Sequence, residues 1–351
     1  MKKADNRLDW PILGNDHIVE FLSKSLKDGR VFGTYVFSGP DDLGKTTVAK
    51  YFAYSLLCQA DEAKKLPCGE CSACRQNKVN QVITEDDDNF MGIHPDLHII
   101  KREKDKKNIS IDQVRSLIHS LSMSSFLNSY KIGIIKNAES LNDESANALL
   151  KTLEEPKNKV IIILITSDIE ALPTTILSRS QLLRFRPVKT DLIYSYLVES
   201  FGASRVTARN LARLSLGRPA LAVKFLENKD FYETYLKRVN IFLNFSGKDI
   251  NERFLMIEEL LGSKISGQET VKIAKRIIEV WQGVVRDLIL VNYEQPDMIQ
   301  HEIVNNELAR EKNKFSIPSL LCLSESLSQA DIYLKANVNP RLVLENIAIN
   351  I

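Results

Sequence analysis

The stretch TYVFSGPDDLGKTTVAKYFAYSLLC, residues 34–58, constrains the fold more than any other part of the chain. A short β-rich run leads into a glycine loop and then into a long helical pattern, which is the order of a mononucleotide-binding unit. The loop has the spacing G-x-x-x-x-G-K-[ST] of a P-loop. Its residues at these positions are Gly39, Gly44, Lys45 and Thr46, followed by Thr47. Backbone N–H groups, the helix N-terminus and the lysine of such a loop bind phosphates, so the sequence predicts an ATP or ADP site with Thr46 as a Mg²⁺ ligand.

Three further apolar runs, DLHIIK, KIGIIK and KVIIILITS, predict strands that alternate with helices. Ser110 and Gln113 fit a capping box before one of these helices, and Asn142 is placed to cap the next, which Pro156 should stop. Near-continuously apolar strands are typical of strands that are buried on both faces. The predicted fold class is therefore α/β, with a parallel sheet between two layers of helices.

The strand pattern ends after RFRPVK, and only helical patterns follow. Short helices are expected from residue 188 to about 226, with Pro219 at a helix start. Long amphipathic helices such as VKIAKRIIEVWQGVVRDLILV follow residue 245. We therefore predict an α/β P-loop domain over residues 1–187, a small helical domain over 188–244 and an all-helical domain over 245–351.

Four of the five cysteines lie in one short segment of the first domain, residues 58–74. Their spacing is C-x9-C-x2-C-x2-C, formed by Cys58, Cys68, Cys71 and Cys74. Four thiolates close a tetrahedral coordination sphere, so the segment predicts a structural rather than a catalytic zinc site. The alternative is a group of unliganded cysteines in a solvent-exposed insertion. Cys322 is expected to be a small core residue.

The end of the strand KIGIIK is where a P-loop protein needs an acidic pair to hold magnesium and to activate water. Lys136 and Asn137 occupy these positions. The nearest carboxylates, on Glu139 and Asp143, lie past the strand end, where a structural role is favoured over a catalytic one. We therefore expect a nucleotide-binding fold that does not hydrolyse ATP.

Bulk charge and hydropathy set limits on the partners of the chain. A net charge of +2 and a pI near 8.1 are too mild to indicate nucleic-acid binding by overall electrostatics, so any DNA contact should be local or shared with partners. The start, MKKADNRLDWPILG, has no apolar signal-peptide core, and the longest strongly apolar run, Val160–Ile165, is too short for a bilayer. We expect a cytoplasmic protein.

The segments YVFSGPDDLGKTT, ANALLKTLEEP and LPTTILSRS, together with the four-cysteine insertion, resemble the bacterial clamp-loader AAA+ subunits of DNA polymerase III. The resemblance covers essentially the whole chain. It implies an AAA+ domain with a zinc module, a helical lid domain and a C-terminal collar domain for oligomerisation. It also implies gamma/tau and delta subunits, the sliding clamp and primer-template DNA as partners.

Within this family the chain looks like the delta-prime group rather than the ATP-hydrolysing gamma/tau motors. ISIDQVRSL resembles the delta-prime entry into a helix, and VWQGVVRDLILV with NVNPRLVLENI resembles its collar domain. The positions that match in the collar are Trp281, Arg286, Asp287, Asn337, Asn339, Arg341, Leu342 and Glu345. Lys136 and Asn137 replace the motor's acids, and Ala220 stands where a motor has its lid arginine, with Arg218 two residues earlier.

The resemblance also implies a role for Arg179. Clamp loaders use a Ser-Arg-Cys motif to supply an arginine finger to the ATP of the neighbouring subunit, and SRS matches it with Ser180 in place of the cysteine. Two alternatives stay open: a motor subunit that uses Glu139 for its own hydrolysis, and a zinc-dependent DNA-binding module outside replication. Against the second, the cysteine segment and its surroundings have few basic residues, namely Lys64, Lys65, Arg75 and Lys78.

Overall fold

The computed structural model describes residues 8–60, 66–77, 94–103, 106–125, 130–154, 159–262 and 267–351. They form two compact units, the first extending to Leu192 and including Arg218–Ala220, and the second made of Ile193–Gly217 and Leu221–Ile351. The three domain ranges predicted from the sequence stay predictions. Among the described helices, none has the length and apolar character needed to cross a membrane.

Five parallel strands form the sheet of the first unit, in the order β2-β3-β4-β1-β5. Their bounds are β1 Thr34–Ser38, β2 Leu97–Ile100, β3 Lys131–Lys136, β4 Val160–Thr166 and β5 Gln181–Arg184. Every residue of the central strand β4 is buried, as expected for a strand covered on both faces. The predicted parallel sheet is confirmed, and the short edge strand β5 is an addition to the four predicted strands.

Helices cover both faces of this sheet. Their bounds are α1 Asp16–Lys27, α2 Lys45–Leu57, α3 Ser72–Gln76, α4 Ile111–Ser122, α5 Asp143–Glu154 and α6 Thr174–Leu177. Apolar residues of α1 and α2 pack in one core cluster, and those of α4 and α5 pack in another. The two predicted caps are confirmed, because the side chains of Ser110 and Asn142 accept hydrogen bonds from the backbone N–H of Gln113 and Ser145. Pro156 lies outside the described residues.

The register of the strands brings two functional segments to one edge of the sheet. Ser38 at the end of β1 pairs with Thr166, and Lys136 at the end of β3 pairs with Ile165 on the same strand β4. Because the strands are parallel, the P-loop after β1 and the Lys136–Asn137 pair after β3 both lie at the carboxyl edge, with β4 between them.

The described part of the second unit contains helices and no strand. Its helices are α7 Thr190–Phe201, α8 Arg205–Leu214, α9 Pro219–Glu227, α10 Lys229–Asn244, α11 Ile250–Leu261, α12 Gln268–Asn292, α13 Asn305–Glu311, α14 Ile317–Lys335 and α15 Pro340–Ile349. The first three residues of α7 group with the first unit. Pro219 begins α9 as predicted, although this residue itself groups with the first unit. Trp281 of α12 is fully buried against Phe242 and Phe245, and its indole N–H donates to the carbonyl oxygen of Arg238 over 3.1 Å.

A buried polar network holds the segment after α12 against that helix. The fully buried carboxylate of Asp287 accepts hydrogen bonds from the backbone N–H of Gln300 and from both the backbone and ring nitrogens of His301. The other ring nitrogen of His301 lies 2.7 Å from the hydroxyl of Tyr235. Asp287, one of the matching collar positions, is therefore a structural residue in this unit, because its acceptors are used inside the core.

The prediction that Cys322 is a core residue is wrong. Its side chain is exposed on α14, whereas Leu320 and Leu323 on the same helix are buried. The apolar sequence IPSLLCLSESL has more apolar residues than one helix face can bury, and Cys322 lies on the outer side with Leu321.

Candidate functional site

The phosphate loop connects β1 to the N-terminus of α2. Gly39 has a φ of 143°, and a Cβ atom there would lie 2.5 Å from the carbonyl oxygen of Phe185. Gly44 is the N-cap of α2 with a φ of 83°, a left-handed conformation that favours glycine. These two positions let the chain turn tightly into a helix whose first N–H groups face the loop, as phosphate binding requires.

Lys45, the first residue of α2, contacts its own loop. Its Nζ donates hydrogen bonds to the carbonyl oxygens of Gly39 and Pro40 and lies 3.6 Å from a carboxylate oxygen of Asp41. Its side chain is only 5% exposed. The loop therefore supplies oxygen partners to an ammonium group that, in a nucleotide complex, serves the outer phosphates.

The residues of the loop fit a nucleotide phosphate in backbone conformation and in the position of the lysine. Thr46 is buried and Thr47 half-buried in the first turn of α2. Gly39, Gly44, Lys45, Thr46 and Thr47 are thus the residues that would hold a nucleotide, with Thr46 as the Mg²⁺ ligand. Asp41 and Asp42 add negative charge to the same loop, which works against an anionic ligand.

Lys136 and Asn137 lie at the carboxyl edge of the sheet, as the register requires. Asn137 has a φ of 56° and turns the chain into the short helix Ala138–Ser140. The carboxylate of Glu139 accepts hydrogen bonds from the backbone N–H and the hydroxyl of Ser167, at 3.3 and 3.4 Å. Glu139 therefore links this turn to the residue after β4 through hydrogen bonds to both of its carboxylate oxygens. Asp143 is the first residue of α5, where its charge suits the helix dipole.

Arg179 lies between α6 and β5, in a turn that fixes its direction. Its guanidinium donates to the carbonyl oxygen of Thr175 and the hydroxyl of Ser178, and it forms an ion pair with Glu154 of α5 at 2.9 Å. The side chain is 38% exposed. Ser180, which replaces the cysteine of the Ser-Arg-Cys motif that SRS resembles, donates its hydroxyl proton to the carbonyl oxygen of Ile176, so it helps to close the same turn.

Arg179 and the P-loop lie at opposite edges of the sheet. Gln181, the first residue of β5, pairs with Tyr35 near the start of β1, whereas the P-loop follows the end of β1 at Ser38. A parallel strand rises about 3.3 Å per residue, so the two edges are separated by the length of β1, roughly 15 Å. Arg179 therefore does not face the P-loop of its own chain.

The four cysteines of the insertion meet in one cluster. Their sulfur atoms all lie within 4.8 Å of one another, and three of the pairs are 3.6, 3.9 and 4.0 Å apart. Four sulfurs at about 2.3 Å from a central zinc ion are about 3.8 Å apart in a tetrahedron. Cys58, Cys68, Cys71 and Cys74 thus have the spacing of a tetrahedral thiolate site and can hold a metal ion.

Backbone N–H groups around the cluster support thiolate ligands. Burial raises the pKa of the Cys68 thiol, but hydrogen bonds from the N–H groups of Cys71 and Glu70 outweigh it and lower that pKa to about 6. Burial raises the pKa values of Cys58 and Cys74. A cation at the centre of the cluster would offset this effect and stabilise their thiolates.

The residues that the resemblance assigns to a collar domain differ in burial and in contacts. Asn339 caps α15 by accepting from the N–H of Arg341, and Arg341 pairs with Glu345 at 2.7 Å and with Glu258 of α11 at 3.4 Å. Leu342 is 59% exposed. Asn337 has a φ of 64° before α15, and Arg286 is largely exposed beside Asp287. Arg341 thus links two helices of the second unit, whereas Leu342 lies on their outer surface.

Two contacts of the site are absent from the sequence-based interpretation. The first is the ion pair of Asp41 with Lys45. The sequence contains a signal for it, because Asp41 in GPDDLGK lies four residues before the lysine. The second is the ion pair of Glu154 with Arg179. These residues are far apart in the sequence, so only the packing of α5 against the turn reveals the pair.

Among the basic residues near the cysteines, Arg75 is exposed, and Lys64, Lys65 and Lys78 lie outside the described residues.

Comparison with protein families gives a match to DNA polymerase III. A family model described as "DNA polymerase III, delta subunit" matches residues 14–189, half of the chain. The subunit delta′ of DNA polymerase III from Bacillus subtilis is 30% identical over 225 residues, which are 64% of this chain and 63% of that protein. The tau/gamma subunit from Haemophilus influenzae is 30% identical over 209 residues, 60% of this chain and 28% of its own length.

Among solved structures, a gamma-subunit-related protein of DNA polymerase III from Thermotoga maritima aligns with a TM-score of 0.48 and 19% identity. The alignment covers 93% of this chain and 97% of that one. The chain spans less than two thirds of the length of the two curated relatives described above.

Proposed function

Because the chain belongs to the DNA polymerase III delta-subunit family, we propose that it is a delta-prime-like subunit of the replicative clamp loader. In this role it assembles in the cytoplasm with gamma/tau and delta subunits and helps to place the sliding clamp on primer-template DNA. Its predicted lid and collar domains, residues 188–244 and 245–351, position the subunit within the complex. Family membership favours this role over a DNA-binding module outside replication.

The observation that supports this role best is the place of Arg179. It is partly exposed at the amino edge of the sheet, and the P-loop lies at the carboxyl edge. An arginine in this position is unable to serve its own nucleotide but is accessible to a neighbouring subunit. A guanidinium supplied in trans stabilises the charge that develops on a transferring phosphoryl group. We propose that Arg179 is the arginine finger for an adjacent motor subunit.

The residues at the end of β3 support a subunit without ATP turnover of its own. Lys136 brings a positive charge to the edge where Mg²⁺ would need carboxylates, and the oxygens of Glu139 accept hydrogen bonds from Ser167. ATP or ADP bound at the P-loop would stabilise the domain by mass action rather than as a substrate. The alternative is a gamma/tau-like motor subunit that hydrolyses ATP with Glu139.

Steady-state hydrolysis by the isolated chain separates these two functions. We expect no ATP turnover above the level of the Lys45→Ala variant, because Lys136 and Asn137 stand where the acidic pair of a motor subunit would follow β3. Glu139→Gln should also leave the rate at that background. Turnover that is abolished by either substitution would indicate a motor subunit instead.

We further propose that the metal of the four-cysteine cluster is zinc and that it is structural. The four thiolates fill a tetrahedral coordination sphere and leave no position for water or substrate. The cluster lies between α2 and β2, so the ion would link the end of α2 to α3 and the turn before it.

A further inference from the structure

The phosphate loop contains its own counter-ion for the lysine. The Asp41 carboxylate lies 3.6 Å from Lys45 Nζ, which also donates to two carbonyl oxygens of the loop. Lys45 is 5% exposed, while Asp41 is 72% exposed at the mouth of the loop. The ammonium group is thus enclosed by the protein, with a carboxylate on its solvent side.

This arrangement changes the charge that a nucleotide meets. The segment GPDDLGKTT has two acids and a single lysine, so its formal charge is negative, although the motif itself requires only the glycines, the lysine and the hydroxyl residue. A phosphate group that approaches Lys45 has to displace the Asp41 carboxylate or lie beside it. Displacing the carboxylate requires that the ion pair be broken, and binding beside it brings like charges to short range. Either event makes the binding of phosphate less favourable.

Asp42 is also acidic but is placed differently. Its φ of 62° is the left-handed conformation that asparagine and aspartate tolerate, and its backbone carbonyl accepts a hydrogen bond from the N–H of Ala220. The structure places Asp41, rather than Asp42, in an ion pair with the lysine. Replacing either acid by its amide removes the same charge, so the two positions form a matched pair.

We propose that Asp41 is an internal counter-ion of Lys45 that keeps the nucleotide affinity of this P-loop low. This inference rests on the proposed nucleotide site, and it concerns regulation of that site rather than the finger role of Arg179. It explains how an intact P-loop motif is compatible with a subunit whose part in the complex does not depend on its own ATP.

The test is a titration of the isolated full-length chain with a fluorescent ATP analogue in the presence of Mg²⁺. We expect Asp41→Asn to lower the Kd about tenfold, equivalent to about 1.4 kcal/mol, because the lysine becomes available to phosphate. Asp42→Asn should lower it by less than about threefold. Adding Lys45→Ala to Asp41→Asn should abolish the gain, which assigns the binding to the P-loop.

Two results would overturn the proposal. The first is that the wild-type chain and Asp41→Asn bind the ATP analogue with equal affinity, or that neither binds it detectably. The second is that Asp42→Asn increases the affinity as much as Asp41→Asn does. Asp41→Ser, which also removes the charge, repeats the test if Asp41→Asn fails to fold. Stimulated ATPase activity of the reconstituted complex with Arg179→Ala is measured separately. A failure of the Asp41 proposal is therefore distinguishable from a failure of the finger role.

Discussion

Replacing Arg179 by alanine should lower ATP turnover at the neighbouring motor subunit by about 10³-fold or more, which is the range measured for arginine fingers. The side chain is partly exposed and held in a turn by Thr175 and Ser178, at the sheet edge opposite to its own P-loop. In the proposed role, its removal leaves the transferring phosphoryl group without a guanidinium partner. The measurement is the ATPase activity of the reconstituted complex, stimulated by clamp and DNA. This activity should fall by at least the share that the neighbouring motor site contributes.

The assembly itself should be unaffected by this change. Arg179 pairs only with exposed groups of its own chain among the contacts described, and such surface pairs contribute about 0–1 kcal/mol to stability. Size-exclusion chromatography should therefore show the same complex with wild-type and variant subunits. Arg179→Lys is the matched control: it keeps the charge but lacks the planar fork, so an intermediate rate is expected. Unchanged stimulated activity of Arg179→Ala would remove the finger role.

Loss of the metal should unfold the cysteine module and reduce the free energy of unfolding of the chain by more than about 4 kcal/mol. Cys74 is the buried member of the cluster, with its sulfur 3.6 Å from that of Cys58 and 3.9 Å from that of Cys68. Cys74→Ser takes one thiolate from a closed tetrahedral site and leaves the others without their ion. Metal analysis should find one zinc ion per wild-type chain and a large loss in the variant.

Cys322→Ser is the matched control for this experiment, because Cys322 is exposed on α14 and lies outside the cluster. It should change neither the zinc content nor the urea midpoint. A wild-type chain that contains no metal, or a Cys74→Ser variant as stable as Cys322→Ser, would support the alternative of unliganded cysteines.

Elements with strong local patterns could be predicted from the sequence. The apolar run Val160–Thr166 is long enough for one strand and too short for a core helix, and it forms the buried centre of the sheet. The capping box of Ser110 and Gln113 depends on residues three apart, so it is visible in the sequence and present in the structure.

The features that escaped prediction depend on tertiary contacts. β5 has only four residues, ends in Arg184 and is defined by its pairing with β1 rather than by its own pattern. The ion pair between Glu154 and Arg179 forms only where α5 packs next to the turn before β5. Cys322 was misplaced because an apolar run on a helix does not reveal which of its residues lie on the inner face.

The most direct measurement compares two reconstituted complexes that differ only in this subunit, one with Lys45→Ala and one with Arg179→Ala. We expect the Lys45→Ala complex to retain stimulated ATPase activity close to that of the wild type, because the proposed role of the chain does not include ATP turnover at its own P-loop. We expect the Arg179→Ala complex to lose a large share of that activity. The reverse pattern, loss with Lys45→Ala and full activity with Arg179→Ala, would contradict the proposal that this subunit acts through its arginine on a neighbour's ATP.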